Sequence, residues 1–253
     1  MDIQSTTPEG ETLLFAEDFS ALPVGVIGGD YSPAGEYHVV PALAETGRWR
    51  ETVIHHSFRR ISTGNWQIVQ EGDAHVLEQT IAVEKPEPML AAGEPYWRDV
   101  TVDVMLRPLT GSGWRAILFR YRHARRFYAV VFSEGSLQVI RSDNDTDTVL
   151  GSAVCPLDPE VYAPVQIIGR GRGVHVIVDG VEQLSCADET SAAFLTGCIG
   201  FAATNVTRFR DLHVTAPAEA ARAAQEESRR EEQVQRRAAA PQPRLWKKIR
   251  TPG

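Results

Sequence analysis

Between Leu13 and Val214 the apolar residues recur at every second position, and a period of two is the signature of strands rather than helices. Val100, Val102, Val104 and Leu106 alternate with Thr101, Asp103, Met105 and Arg107, so one face of this strand is buried and the other wetted. Apolar runs follow at residues 115–122 and 127–132, joined by the polar turn His123-Ala124-Arg125-Arg126. Residues 136–141 come after a Glu134-Gly135 turn, and residues 164–169 and 174–178 continue the series up to Asp179-Gly180, a hairpin signal. Residues 181–185, 198–202 and 208–214 close the set, while residues 13–19 and 66–79 supply further strands. Many strands joined by short turns, with almost no helix, predict an all-β fold: two antiparallel sheets stacked as a sandwich. Residues 21–60, rich in Gly, Pro and Tyr, read as a long loop region, and long loops in compact domains are more often functional than idle.

Composition narrows the partners. With 26 Lys+Arg against 33 Asp+Glu the formal charge is −7, which offers no footprint for nucleic acid. Hydrophobic residues at 43% suffice for a core, and no apolar run approaches the ~20 residues of a membrane span. Met1-Asp2-Ile3-Gln4-Ser5 lacks the basic and apolar regions of a signal peptide, which leaves localisation open between a secreted parent and a cytoplasmic one. The charge also divides the chain. Residues 216–253 hold nine Lys+Arg and five Asp+Glu, so the tail is +4 and residues 1–215 are −11. Two segments follow: a sandwich over 12–215 and a charged and partly helical Ala/Glu/Arg-rich linker over 216–243. The linker offers few large apolar groups, so it is expected to pack little against the sandwich.

Several phrases then line up in order. Leu13-Leu14-Phe15-Ala16-Glu17-Asp18-Phe19-Ser20 opens the domain, followed by Asn65-Trp66-Gln67-Ile68-Val69 and Trp97-Arg98-Asp99-Val100-Thr101-Val102-Asp103-Val104. Gly197-Cys198-Ile199-Gly200-Phe201-Ala202 and Phe209-Arg210-Asp211-Leu212-His213-Val214 close it. This order resembles the concanavalin A-like lectin/glucanase jelly roll, especially its laminin-G-like and carbohydrate-associated branches. The last residues, Leu245-Trp246-Lys247-Lys248-Ile249-Arg250-Thr251-Pro252-Gly253, resemble the opening of the β-propeller in rhamnogalacturonan-lyase-like proteins, which implies that residues 244–253 start a following domain. Together the resemblances imply a non-catalytic carbohydrate-binding accessory module of a polysaccharide-active protein, in contact with a C-terminal domain. They also imply a structural Ca2+ between the first and last strands, for which Asp18 and Asp211 are the matching positions, since that ion takes hard oxygen ligands.

The residues carry little catalytic chemistry. Glucanases of this fold place their acids in E-x-D-x-E or E-x-D-x-x-E runs on one strand, and no such run occurs. Asp99 and Asp103 share a strand face without a neighbouring Glu, and Glu17 and Asp18 point to opposite faces. Cys155, Cys186 and Cys198 are too dispersed for a zinc ribbon, Cys198 reading as a small core residue. His55 and His56 lie in a loop-like stretch, and Asp143-Asn144-Asp145-Thr146-Asp147 reads as a solvated turn that lacks the Gly and Glu of an EF-hand. Basic and aromatic residues crowd the hairpin around residue 124. Alternation puts Ile117, Phe119 and Tyr121 on the core face with Arg115, and Ala116, Leu118, Arg120 and Arg122 on the open face. Arg120 and Arg122, with Tyr128 and the Trp97 loop nearby, are therefore the expected sugar site, and Arg115 and Tyr121 are the substitutes should the faces be reversed. Guanidinium groups suit a uronate carboxylate. Three other readings fit the same residues: a solvated hairpin face, a small glycoside hydrolase or lyase with acids outside any familiar motif, and a structural sandwich that binds no sugar.

Overall fold

The computed structural model describes residues 10–27, 49–53, 66–82 and 88–239. Strands β1 (Glu11–Glu17), β2 (Gly25–Val26), β3 (Trp49–Val53), β4 (Trp66–Glu71) and β5 (Ala74–Gln79) come first. Next are β6 (Pro88–Ala92), β7 (Thr101–Pro108), β8 (Trp114–His123), β9 (Arg126–Ser133), β10 (Ser136–Asp143) and β11 (Thr146–Val154). The series ends with β12 (Ala163–Arg170), β13 (Gly173–Val178), β14 (Val181–Ala187), β15 (Cys198–Ala203), β16 (Thr207–Pro217) and helix α1 (Ala218–Ala239). They form the expected all-β sandwich of two antiparallel sheets. One sheet runs β14-β13-β12-β7-β16-β5-β4-β2, with β1 also on β16; the other runs β11-β10-β9-β8-β15-β6-β3.

Alternation builds the core as the sequence implies. Val102, Val104 and Leu106 of β7 and Val165 and Ile167 of β12 face Ile117 and Phe119 of β8 and Val130 and Phe132 of β9 in one continuous cluster. Three hairpin turns hold both central residues at positive φ: Glu134 and Gly135, Asn144 and Asp145, Asp179 and Gly180. That geometry matches the right-handed strand twist and sets the hairpin registers. A second apolar layer lies on the outer face of the seven-stranded sheet, with Met89, Leu118, Phe127, Ala129 and Ala202.

Four features depart from the sequence reading. The expected loop over 21–60 contains β2 and β3, with Trp49 fully buried; residues 28–48 and 54–60, His55 and His56 included, lie outside the described residues. β6 was hidden because all five of its residues are buried and so show no alternation. β11 begins inside the Asp143–Asp147 stretch that reads as a turn.

The fourth is the linker. β16 runs to Pro217, and a continuous helix starts at the next residue. Its first turns bury Ala220, Ala221 and Ala224 against the sandwich, and Arg98 grips Glu227 at 2.6 Å. Small side chains dock here because they let the helix backbone approach the sheet closely, so large apolar groups are not needed. The distal residues 231–234 and 236 are exposed, as a solvated linker would be, and residues 240–253 lie outside the described residues.

Candidate functional site

The outer apolar layer of the seven-stranded sheet is hollowed into a groove of about 580 Å³. Ala116, Leu118, Ala129 and Ala202 are among its lining, and small side chains at adjacent register positions leave the space. Trp114 and Phe127 contribute aromatic surface at opposite ends of the β8–β9 ladder. Trp114 is fixed through its backbone: its N–H donates to Thr204 Oγ1 at 3.0 Å, and its carbonyl accepts from Thr204 N at 2.9 Å. Ser133, Gln138 and Ser142 add hydroxyl and amide groups. Among the described residues the only ionisable side chains in the lining are Asp145 and Asp147, from the β10–β11 hairpin, and Asp145 is ion-paired with Arg125. Aromatic planes, short polar groups and carboxylate acceptors suit the apolar C–H faces and hydroxyls of a sugar.

Nothing in the Asp143–Asp147 string singled it out as part of a binding surface, because only the pairing of β10 with β11 brings it beside Phe127 and Ser142. The alternation Ala116/Leu118 was visible, but Ala129, Ala202 and Met89 join those residues only through strand order.

The arginine site does not form as the alternation implied. Arg120 has φ +49, and there two residues of β8, Phe119 and Arg120, stand against one of β15, Ile199: Tyr121 pairs with Cys198 and Leu118 with Gly200. A bulge of this kind exchanges the two faces beyond it. Tyr121 therefore leaves the core face and stacks on Phe127 in the outer layer, with centroids 6.3 Å apart. Arg120 turns inward and is 3% exposed. Its Nη2 donates to Gly171 O at 2.6 Å, and its guanidinium lies 5.1 Å from the Tyr128 ring centroid. Gly197 makes the bulge possible, since a Cβ there would lie 2.3 Å from the Arg120 carbonyl carbon.

The other expected residues are also committed to the fold. Tyr128 is fully buried, and its hydroxyl donates to Asp188 Oδ2 at 2.6 Å; its own pKa is pushed up to about 12 by burial and by that carboxylate. Trp97 packs edge-on to Phe15 and against Gly93. Arg115, expected on the core face, is 3% exposed and donates from Nη2 to Ser112 O at 2.8 Å, tying down the β7–β8 loop. Arg122 alone stays half-buried, bonded to Thr196 and lying over Phe194. None of the five lines the groove.

Asp18 and Asp211 do approach each other in register, since Glu17 pairs with Leu212. Asp18 accepts from Ser20 N and Oγ, which hold its carboxyl below the usual range, and Asp211 lies 3.4 Å from Arg210 Nε. Among the described residues no three His, Cys, Asp or Glu side chains converge on a cation position. Asp103, on the outer face of the nine-stranded sheet, has its pKa raised by burial; Gln166 Nε2 donates to it at 2.7 Å. Cys198 is fully buried, as expected of a core thiol, and burial pushes its pKa up to about 12.

No family model matches this sequence, and no curated protein matches it. Solved structures match its fold. A non-specific endo-β-1,3(4)-glucanase of family GH16 superposes with a TM-score of 0.54 over 83% of this chain and 92% of its own, at 10% identity. A Bacillus subtilis protein with a galectin-like fold gives 0.51 over 79% and 97%, at 13% identity. The carbohydrate-binding module CBM66 from Bacillus subtilis gives 0.50 over 64% and 92%, at 16% identity. At these identities the likeness concerns architecture, and the chain has the galectin-like, concanavalin A-like jelly-roll fold.

Proposed function

We propose that this domain is a non-catalytic carbohydrate-binding module that holds a neutral oligosaccharide in the groove of the seven-stranded sheet. The observation that carries the reading is the composition of that groove: Trp114 and Phe127 with small neutral polar groups, and no arginine or lysine among the described residues of the lining. Among the described residues its only charges are the carboxylates of Asp145 and Asp147, which accept hydrogen bonds from hydroxyls and repel uronates. The uronate preference expected from Arg120 therefore does not carry over to the groove. Structural neighbours that are a carbohydrate-binding module and a glucanase support a saccharide ligand. Two acidic residues two positions apart on one hairpin, one of them paired with Arg125, do not resemble an acid and a nucleophile facing each other across a glycosidic bond. In a longer polysaccharide-active protein, of the lyase type suggested by residues 245–253, such a module would keep the chain on its substrate.

The test is isothermal titration with laminari-, cello- and galacto-oligosaccharides beside oligogalacturonate. A neutral series should bind, and Trp114→Ala should weaken it at least tenfold, or about 1.4 kcal/mol, with an unchanged circular dichroism spectrum. Binding that is indifferent to Trp114→Ala would remove the groove from the site. Release of reducing ends by the wild type, abolished in Asp147→Asn, would replace this reading with a glycoside hydrolase.

A further inference from the structure

The β8–β9 hairpin carries a second feature, on the side facing away from the groove. Arg122 is half-buried, and its two hydrogen bonds go to neutral acceptors: Nε to Thr196 O at 3.2 Å and Nη2 to Thr196 Oγ1 at 2.7 Å. Among the described residues no carboxylate pairs with it, and its Nη1 has no partner. Arg126 shares its ring: the guanidinium carbons of Arg122 and Arg126 lie 5.4 and 4.9 Å from the Phe194 centroid. Among the described residues Arg126 is ion-paired only with Asp143, whose carboxylate lies 3.8 Å from Nε, too far for a hydrogen bond, and that Nε is buried without a hydrogen-bond partner. Burial and the neighbouring Arg126 both lower the proton affinity of Arg122.

Two partly desolvated cations held against one ring, with a single carboxylate in ion-pair range among the described residues, leave positive charge for a further anion. The platform beneath them is rigid. Phe194 is buried, its ring packs edge-on to Tyr128 at 4.7 Å, and its N–H donates to the Tyr128 hydroxyl at 3.4 Å. Planar guanidinium groups with unused N–H donors are shaped for oxyanions. We propose that Arg122 and Arg126, arrayed on Phe194, form a receptor for a ligand-borne oxyanion, a carboxylate or a sulfate group. This site is separate from the groove and does not rest on the reading of it. It recovers Arg122 for an acidic ligand without Arg120.

The experiment titrates the full chain with trigalacturonate and with sodium sulfate, using laminaritriose and sodium chloride as controls, and follows binding by calorimetry and amide NMR shifts. At least one oxyanion should bind with shifts centred on residues 122, 126 and 194, and the tighter of the two identifies the group. Both Arg122→Gln and Arg126→Gln should weaken it at least tenfold and leave laminaritriose as in the wild type. Arg126→Gln gives up no hydrogen bond, so it decides the matter even if Arg122→Gln loosens the Thr196 loop. Wild-type affinity in Arg126→Gln, or no oxyanion binding below about 10 mM, overturns the proposal. The groove reading fails separately, through laminaritriose and Trp114→Ala.

Discussion

Tyr128 Oη donates to Asp188 Oδ2 at 2.6 Å inside the sandwich, and Arg141 Nη1 donates to the same oxygen at 2.6 Å. Asp188 is fully buried, and its other oxygen accepts from Thr190 N and Oγ1. One carboxylate thus fastens β9, β10 and the loop after β14.

That network makes stability depend on pH at both ends. Burial alone would raise the pKa of Asp188, but the bonds from Tyr128, Thr190 and Arg141 outweigh it and hold the carboxyl far below its usual range. A depressed folded pKa contributes stability that is present above the unfolded value of about 3.9 and is lost as pH falls further. Tyr128 has the opposite sign. Its contribution is complete below about 10 and disappears as pH rises through its folded value of about 12. Urea denaturation across pH should therefore show an acid limb that is shallower in Asp188→Asn and an alkaline limb that is shallower in Tyr128→Phe. Tyr128→Phe should also cost about 1–3 kcal/mol at neutral pH.

Arg120 should behave as a structural residue. Arg120→Ala removes the bond to Gly171 O and leaves a gap beside Tyr128 and Phe119, so a loss of about 2–4 kcal/mol is expected. Arg120→Met, which keeps much of the volume, should lose less. Neither should alter glycan affinity measured well below the melting temperature.

Gly197 should tolerate no side chain. Its added Cβ would meet the backbone of Arg120 and Tyr121 at 2.3–2.6 Å, and backbone cannot swing aside. Gly197→Ala should destabilise by more than about 2 kcal/mol in chemical denaturation, whereas Gly111→Ala, where open space surrounds the Cβ, should be mild.

The docked start of α1 should resist proteolysis while its distal half does not. Trypsin should cut at Arg229, Arg230 and Arg236 before Arg222, whose neighbours Ala221 and Ala224 are buried. Ala224→Glu, which places an unpaired carboxylate against the sandwich, should cost about 1–3 kcal/mol and expose Arg222 to cleavage. Equal cutting at all four arginines would show that the helix does not dock.

The sandwich was legible because period-two alternation and Gly- or Asp-bearing turns are local properties: Val102, Val104 and Leu106 declare a buried face wherever their strand pairs, and Asp179-Gly180 declares a hairpin. Strand β6 was not, since a strand buried on both faces has no alternation to read. The candidate site was least legible of all. A single bulge at Arg120 exchanges the faces of β8, and it depends on Gly197, 77 positions later in the chain, packing its bare backbone against it. Trp114, Ala129, Ala202 and Asp147 lie on four different strands, and the pairing of those strands alone makes them one groove. Local pattern determined which segments are strands. Which side chains meet was decided by strand order and one register shift, because both are set by contacts between residues far apart in the chain.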